Sequence, residues 1–167
     1  MKHVFTLLAI LTILLCSHKV FCQTDTVKAV NYVEVYYSVT NTPGVFLDKS
    51  NLSVEFGRQW GVFSAGVDIG KTTLIKSTGR DTSIYVEVRP NLNVFQQGRF
   101  TNTLTVGLGY VFNCKNSMLT ELTSGIEYSL SNRVHLNANF GQFYYSGTAS
   151  EYSVSFFGLS ASYYFLK

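Results

Sequence analysis

From about residue 29 onward, apolar and polar side chains alternate with a period of two in one segment after another, as in "VEVYYSV" and "LSVEFG". A period of two places successive side chains on opposite faces of a pleated strand, and no useful stretch after Gln23 carries the 3.6 period of a helix. The alternation predicts eight strands: Ala29 to Val39, Lys49 to Gly57, Gly61 to Lys71, Thr82 to Phe95, Phe100 to Phe112, Leu119 to Leu130, Val134 to Tyr145 and Tyr152 to Leu166. Most reach the roughly 9–11 residues that a tilted strand needs to cross a bilayer.

The connections alternate in length. Gly57 to Gly61, Gln96 to Arg99 and Ser131 to Arg133 read as tight turns, with an arginine in each: Arg58, Arg99 and Arg133. Thr40 to Asp48, Thr72 to Asp81, Asn113 to Met118 and Ser146 to Glu151 read as longer loops. An even strand count then gathers the tight turns and both termini at one end, and the longer loops at the other. Pro90 lacks the N–H that a ladder requires, so a bulge or irregularity is expected there.

Sorting by face separates the charges. One face carries Val35 and Tyr37, Leu52, Val54 and Phe56, Val67 and Ile69, Val86 and Val88, Val106 and Leu108, Leu122 and Ile126, Leu136 and Phe140, and Phe157, Leu159 and Ala161. The other carries Glu34, Glu55, Asp68, Glu87, Arg89, Glu121, Glu127 and His135 among Asn, Thr, Ser and many Gly. Alternation alone does not say which face lines the interior, and a soluble lipocalin-like barrel in the periplasm, with an apolar lumen, is the competing architecture. Two features favour the apolar face outward. Small residues such as Gly66, Gly70, Gly107, Gly125, Gly141 and Gly158 crowd the polar face, which suits a narrow lumen, and aromatics collect near strand ends, which suits interfacial girdles. The fold class read from this is all-β: a closed, antiparallel, eight-stranded, up-and-down transmembrane β-barrel.

Composition agrees with a lipid-facing surface. Aromatics make up 15% of the 167 residues and charged residues only 14%, against roughly a quarter charged in soluble domains. The net charge of +3 contains no basic run, so no nucleic acid partner is expected. "MKHVFTLLAILTILLCSHKVFCQ" sets Lys2 and His3 before a short apolar run, the pattern of a secretory signal, with residues 1–22 removed and 23–167 forming the barrel. Lipidation at Cys16 or Cys22 fits less well, because bulky residues precede both. Cleavage leaves Cys114 as the lone cysteine, so no internal disulfide forms.

Candidate chemistry is sparse. "SAGVDIGKTTL" has the look of a phosphate-binding loop, but only three residues separate Gly66 from Gly70, one fewer than that loop requires. The lone mature cysteine, with two of the three histidines in the signal, excludes the usual zinc patterns, and no cofactor is expected. What remains is a polar network in the lumen: Glu34, Glu55, Asp68, Glu87, Arg89, Glu121, Glu127 and His135. Its expected role is structural, with Arg89 reaching Glu55, Glu121 or Glu127, His135 meeting Glu127, and Asp68 finding a partner or holding a proton. The alternative use of these carboxylates is a narrow cation path. Lys49, Lys71, Lys76, Arg80 and Lys115 lie near the longer loops, where they form a solvated rim or touch lipopolysaccharide.

The whole pattern from Lys28 to Lys167, with the closing "GLSASYYFLK", resembles the small eight-stranded bacterial outer-membrane barrels of the OmpA/OmpX type. The resemblance implies an outer-membrane location, contact with its lipid, and recognition of the Tyr163/Phe165 end by barrel-assembly machinery. Members of that group act as adhesins, stability factors, envelope anchors or small enzymes. A structural or surface-interaction role without catalysis is therefore the leading expectation, its loop ligand unspecified; a lipid-A-modifying enzyme is the alternative, for which "VHLNANF" offers Asn137 where a nucleophilic serine is wanted.

Overall fold

Hydrogen bonding from each strand to the next, and from the last back to the first, closes the sheet into a barrel. The strands are β1 (Val30–Thr42), β2 (Val45–Trp60), β3 (Phe63–Lys76), β4 (Gly79–Gln97), β5 (Phe100–Val111), β6 (Met118–Ser129), β7 (Val134–Ser146) and β8 (Tyr152–Phe165). The computed structural model describes residues 29–42, 45–76, 79–112, 118–147 and 152–165; the signal segment, Cys114 and Lys115 lie outside them. The side chains of Lys49, Lys76 and Arg80 also lie outside the description.

Two expected loops are mostly strand. β1 and β2 pair as far as Thr42↔Val45, and β3 and β4 as far as Lys76↔Gly79. The polarity of these segments suggested loops, but Thr72, Thr73 and Ile75 are β-branched and favour extended backbone. At the opposite end the connections are tight. Gly61 and Gly98 open two-residue turns with φ of 62° and 61°, the left-handed conformation that a hairpin turn reserves for glycine at its first central position. In the third, the Ser131 hydroxyl accepts from the amides of Arg133 and Val134 at 3.2 and 3.1 Å. Arg58, expected in a turn, instead lies within β2 because that strand continues to Trp60.

The register fixes the shape. Followed from partner to partner, Thr40 leads through Phe156, Gly141, Thr123, Thr105, Asn91, Ser64 and Gln59 back to β1 at Val30, ten residues from the start. A stagger of this kind tilts the strands by roughly 35–45° and sets a lumen only wide enough for side chains. The bulge in β4 falls between Asn93 and Phe95; at Pro90 the register with β5 stays in step, although pairing is interrupted between Val88↔Leu108 and Asn91↔Thr105.

Apolar side chains face outward. Leu52, Phe56, Val67, Ile69, Val88, Leu108, Ile126, Phe140 and Leu159 are 42–61% exposed and come from seven of the eight strands. Aromatic girdles border this band. Trp60 stacks on Phe63, Phe100 meets Tyr128 and Tyr163 meets Phe165 at the turn end, while Tyr110 meets Phe112 at the loop end. A water-soluble ligand-binding barrel has the reverse arrangement.

Candidate functional site: the lumen

The register gathers the acids. Glu34 pairs with Glu55, Glu55 with Asp68, and Asp68 with Glu87, so carboxyl groups from β1, β2, β3 and β4 lie side by side on one row of the lumen wall. Like charges directly opposite one another destabilise a sheet, so the row needs compensation. Arg89, two residues beyond Glu87 and facing the same way, supplies it. Its guanidinium donates through Nη1 to Glu55 Oε2 at 2.8 Å and through Nη2 to Glu121 Oε1 at 3.0 Å, with all three side chains buried. Glu127 is not among its partners.

Neutral donors carry part of the remaining charge. Tyr32 donates its hydroxyl to Glu55 Oε1, Thr123 donates to Glu121 Oε1 at 2.5 Å, and Tyr85 donates to Asp68 Oδ2 at 2.8 Å. The Arg89 guanidinium also lies over the Tyr36 ring, 5.3 Å from its centroid. Both Glu87 oxygens, Asp68 Oδ1 and Arg89 Nε have no hydrogen-bond partner among the described residues. Nor do three metal-ligating side chains converge among those residues, so the acidic row is not arranged as a metal centre.

Towards the turn end the lumen stays polar and contains a cavity of about 30 Å³, bordered by Glu34, Asn91, Thr103, Glu127, Asn137 and Asn139 among others. His135 Nδ1 lies 2.8 Å from Glu127 Oε1, and its ring packs on Tyr164 with centroids 4.5 Å apart. Ser162 is the cross-strand partner of His135, which sets an acid, an imidazole and a hydroxyl in one layer. The hydroxyl, however, donates to Glu34 at 2.8 Å and accepts from Asn137 at 3.1 Å. Nucleophilic catalysis needs the base to hold the nucleophile's proton, and here a second carboxylate takes that place.

Towards the loop end the lumen is mixed: buried Ser38, Asn51, Thr72 and Ser83 lie beside an aromatic cluster that the expected polar network did not include. Tyr36, Tyr85, Val111, Leu119, Phe143, Tyr145 and Phe156 form one buried cluster. Phe143 stacks on Phe156 at 4.2 Å and Tyr36 meets Phe156 edge-on at 6.3 Å. Glycines make space for the rings: a Cβ on Gly158 would overlap Tyr36, and one on Gly70 would overlap Tyr85. In the sequence these aromatics hide beside outward ones, as in Tyr36-Tyr37, Tyr144-Tyr145 and Phe156-Phe157. The signal that marks them is the doubled aromatic together with glycines on the polar face.

Fold and lumen together define a closed eight-stranded barrel, apolar outside and filled inside, of the kind built for membranes. Solved structures carry the same likeness. The neisserial surface protein NspA is 13% identical over 81% of this chain and 95% of its own, with a TM-score of 0.54. Outer membrane protein H (OprH) of P. aeruginosa is 15% identical over 81% and 99%, with a TM-score of 0.58. Ail of Yersinia pestis, in a phospholipid nanodisc, is 12% identical over 83% and 100%, with a TM-score of 0.51. No protein-family model and no curated protein sequence matches the chain. At these identities the likeness establishes the fold.

Proposed function

We propose that the chain is a bacterial outer-membrane barrel with a structural or surface-interaction role, exported by residues 1–22 as a cleaved signal. The observation that carries this reading is the apolar band on the outside of a barrel in which Glu34, Glu55, Asp68, Glu87, Arg89, Glu121 and Glu127 all face inward. The turn end faces the periplasm and the loop end faces outward, where loop residues meet partners; Lys71, exposed at that end, is placed to touch lipopolysaccharide headgroups. Insertion proceeds through barrel-assembly machinery, which reads the Tyr163/Phe165 strand. No catalytic step is assigned, because the His135 imidazole lies 2.8 Å from Glu127 and not against the nearby Ser162 hydroxyl, which donates to Glu34.

The aromatic cluster argues against the channel. Conduction requires a continuous wet path, and Phe143, Tyr145 and Phe156 fill the loop side of the lumen. Two experiments test the proposal. The protein is expected in the outer-membrane fraction, with an SDS-gel mobility that changes on boiling; a soluble protein with a single unshifted band overturns the location. Planar bilayers are expected to show no unitary current from the wild type, and steady cation-selective steps would replace the structural reading with a channel.

A further inference from the structure

We infer that the outer face of the barrel at its turn end carries a site for one anionic phospholipid, with its phosphate on Arg58 and an acyl chain in the groove over Ala65. The inference rests on the membrane reading above. Arg58 is the point of departure because it breaks the rule of its face. It lies on the outward side of β2 between Phe56 and Trp60, exposed, while Glu55, Gly57 and Gln59 turn to the lumen side. A charge on the lipid face is costly near the bilayer centre and cheap only near the interface. Its head is directed accordingly: the guanidinium lies over the Trp60 ring, 5.8 Å from the centroid, with Phe63 stacked alongside that indole at 6.0 Å.

The neighbours of Arg58 form a trough. Across the ladders its partners are Asn31 and Ala65, and the same row continues to Phe165 on one side and Pro90 on the other. One row nearer the loop end stand the larger Phe56, Val67 and Val88. The low Ala65 between these residues leaves an open groove of about 530 Å³, with apolar walls and with Arg58 and Asn31 as its polar end. The groove therefore has the two-part character of a lipid: a cation at its turn-end side and apolar walls of Phe56, Val67 and Val88 on the side nearer the bilayer centre.

Charge selects the class of lipid. Arg58 has no carboxylate within ion-pair distance among the described residues. Glu34, Glu55 and Glu127, the described acids nearest this end, face the lumen and lie against Ser162, Arg89 and His135. Among the described residues an anionic headgroup thus meets Arg58 with no outward carboxylate beside it, whereas a zwitterionic one brings its own cation against it. The planar guanidinium also matches two phosphate oxygens at once.

Trp60 is the only tryptophan in the chain, so its fluorescence reports on this site without labelling. The protein is reconstituted in phosphatidylcholine vesicles, and acyl-brominated phosphatidylglycerol or acyl-brominated phosphatidylcholine is titrated as quencher. Brominated phosphatidylglycerol is expected to occupy the site about fivefold more readily. Arg58→Gln brings the ratio close to one, Arg58→Lys retains most of it, and Arg133→Gln at a distant turn leaves it unchanged. Ala65→Leu fills the trough without touching the charge and also abolishes the preference. Equal quenching by both lipids in the wild type, or a preference that survives Arg58→Gln in a variant that keeps its heat-dependent gel shift, overturns the site. Quenching by neither lipid overturns the membrane reading, and the site with it.

Discussion

The loop-side and turn-side halves of the lumen share one fold and one external band, yet an aromatic cluster is buried only in the first and a small polar cavity lies in the second. On the loop side, stacked rings pack around Val111 and Leu119 beside buried Ser38, Asn51 and Thr72, whereas the turn side is a lattice of Asn, Thr, Ser, Glu34, Glu127 and His135 around a small cavity. Between them lies the Arg89 cluster, which touches both: Arg89 binds Glu55 and Glu121 and also faces the Tyr36 ring. The difference teaches that the bilayer constrains only the outside of such a barrel. Inside, the requirements are that space be filled and charge be met, and one chain satisfies them in two ways.

That contrast is open to attack, beginning with the largest effects. Phe156→Ala empties the centre of the aromatic cluster and is expected to cost about 3–5 kcal/mol in urea unfolding from lipid vesicles, followed by Trp60 emission. Arg89→Met should cost a similar amount, about 3–5 kcal/mol, because Glu55 and Glu121 lose their cation while still buried. Adding Glu55→Gln and Glu121→Gln to Arg89→Met is expected to recover much of that loss, which separates uncompensated charge from lost packing. Gly158→Ala forces a methyl into the Tyr36 ring and is expected to cost about 1–3 kcal/mol.

The turn-side half should be softer. Thr105→Val removes the 3.2 Å hydrogen bond from the Thr105 hydroxyl to Asn91 and is expected to cost about 1 kcal/mol, since the cavity lets water take its place. A double-mutant cycle on Glu127→Gln and His135→Asn is expected to give a coupling of about 0.5–1 kcal/mol, the smallest of the set, because both groups keep some contact with solvent. Equal costs in the two halves would mean that the lumen is one uniform core and that the contrast carries no energetic weight.

The sequence made the outer face far more legible than the inner one. Apolar side chains hold most outward positions of the central band, so Leu52, Phe56, Val67, Ile69 and Leu159 announce their parity, and strand number follows from it. The same parity puts Arg89, Glu55 and Glu121 on one side, and neutralising a buried charge narrows the choice of partners; Glu127 is not a partner of Arg89 because the register sets it opposite Asn137, within reach of His135 on the diagonal. Parity is silent about size and polarity inside. Tyr36, Tyr85 and Phe156 are invisible to it because a lumen position accepts any side chain that a facing glycine accommodates. Strand length was underestimated where polar β-branched residues such as Thr72 carry the ladder past the apolar band, and Arg58 passed for a turn residue for the same reason in reverse: the turn lay farther along β2.

Everything above depends on which face meets lipid, and one measurement addresses that directly. In a Cys114→Ser background, nitroxide spin labels are placed singly at Phe56, Val67 and Leu159 on the outer face and at Thr105 in the lumen, and the protein is reconstituted in vesicles. Collision with oxygen, which concentrates in hydrocarbon, is compared with collision with a water-soluble nickel chelate. The three outer labels are expected to favour oxygen strongly, with the ratio highest for the position deepest in the band, while Thr105 favours neither because the lumen is packed. Outer labels that collide freely with the nickel chelate would contradict the account, for they would place the apolar face in water.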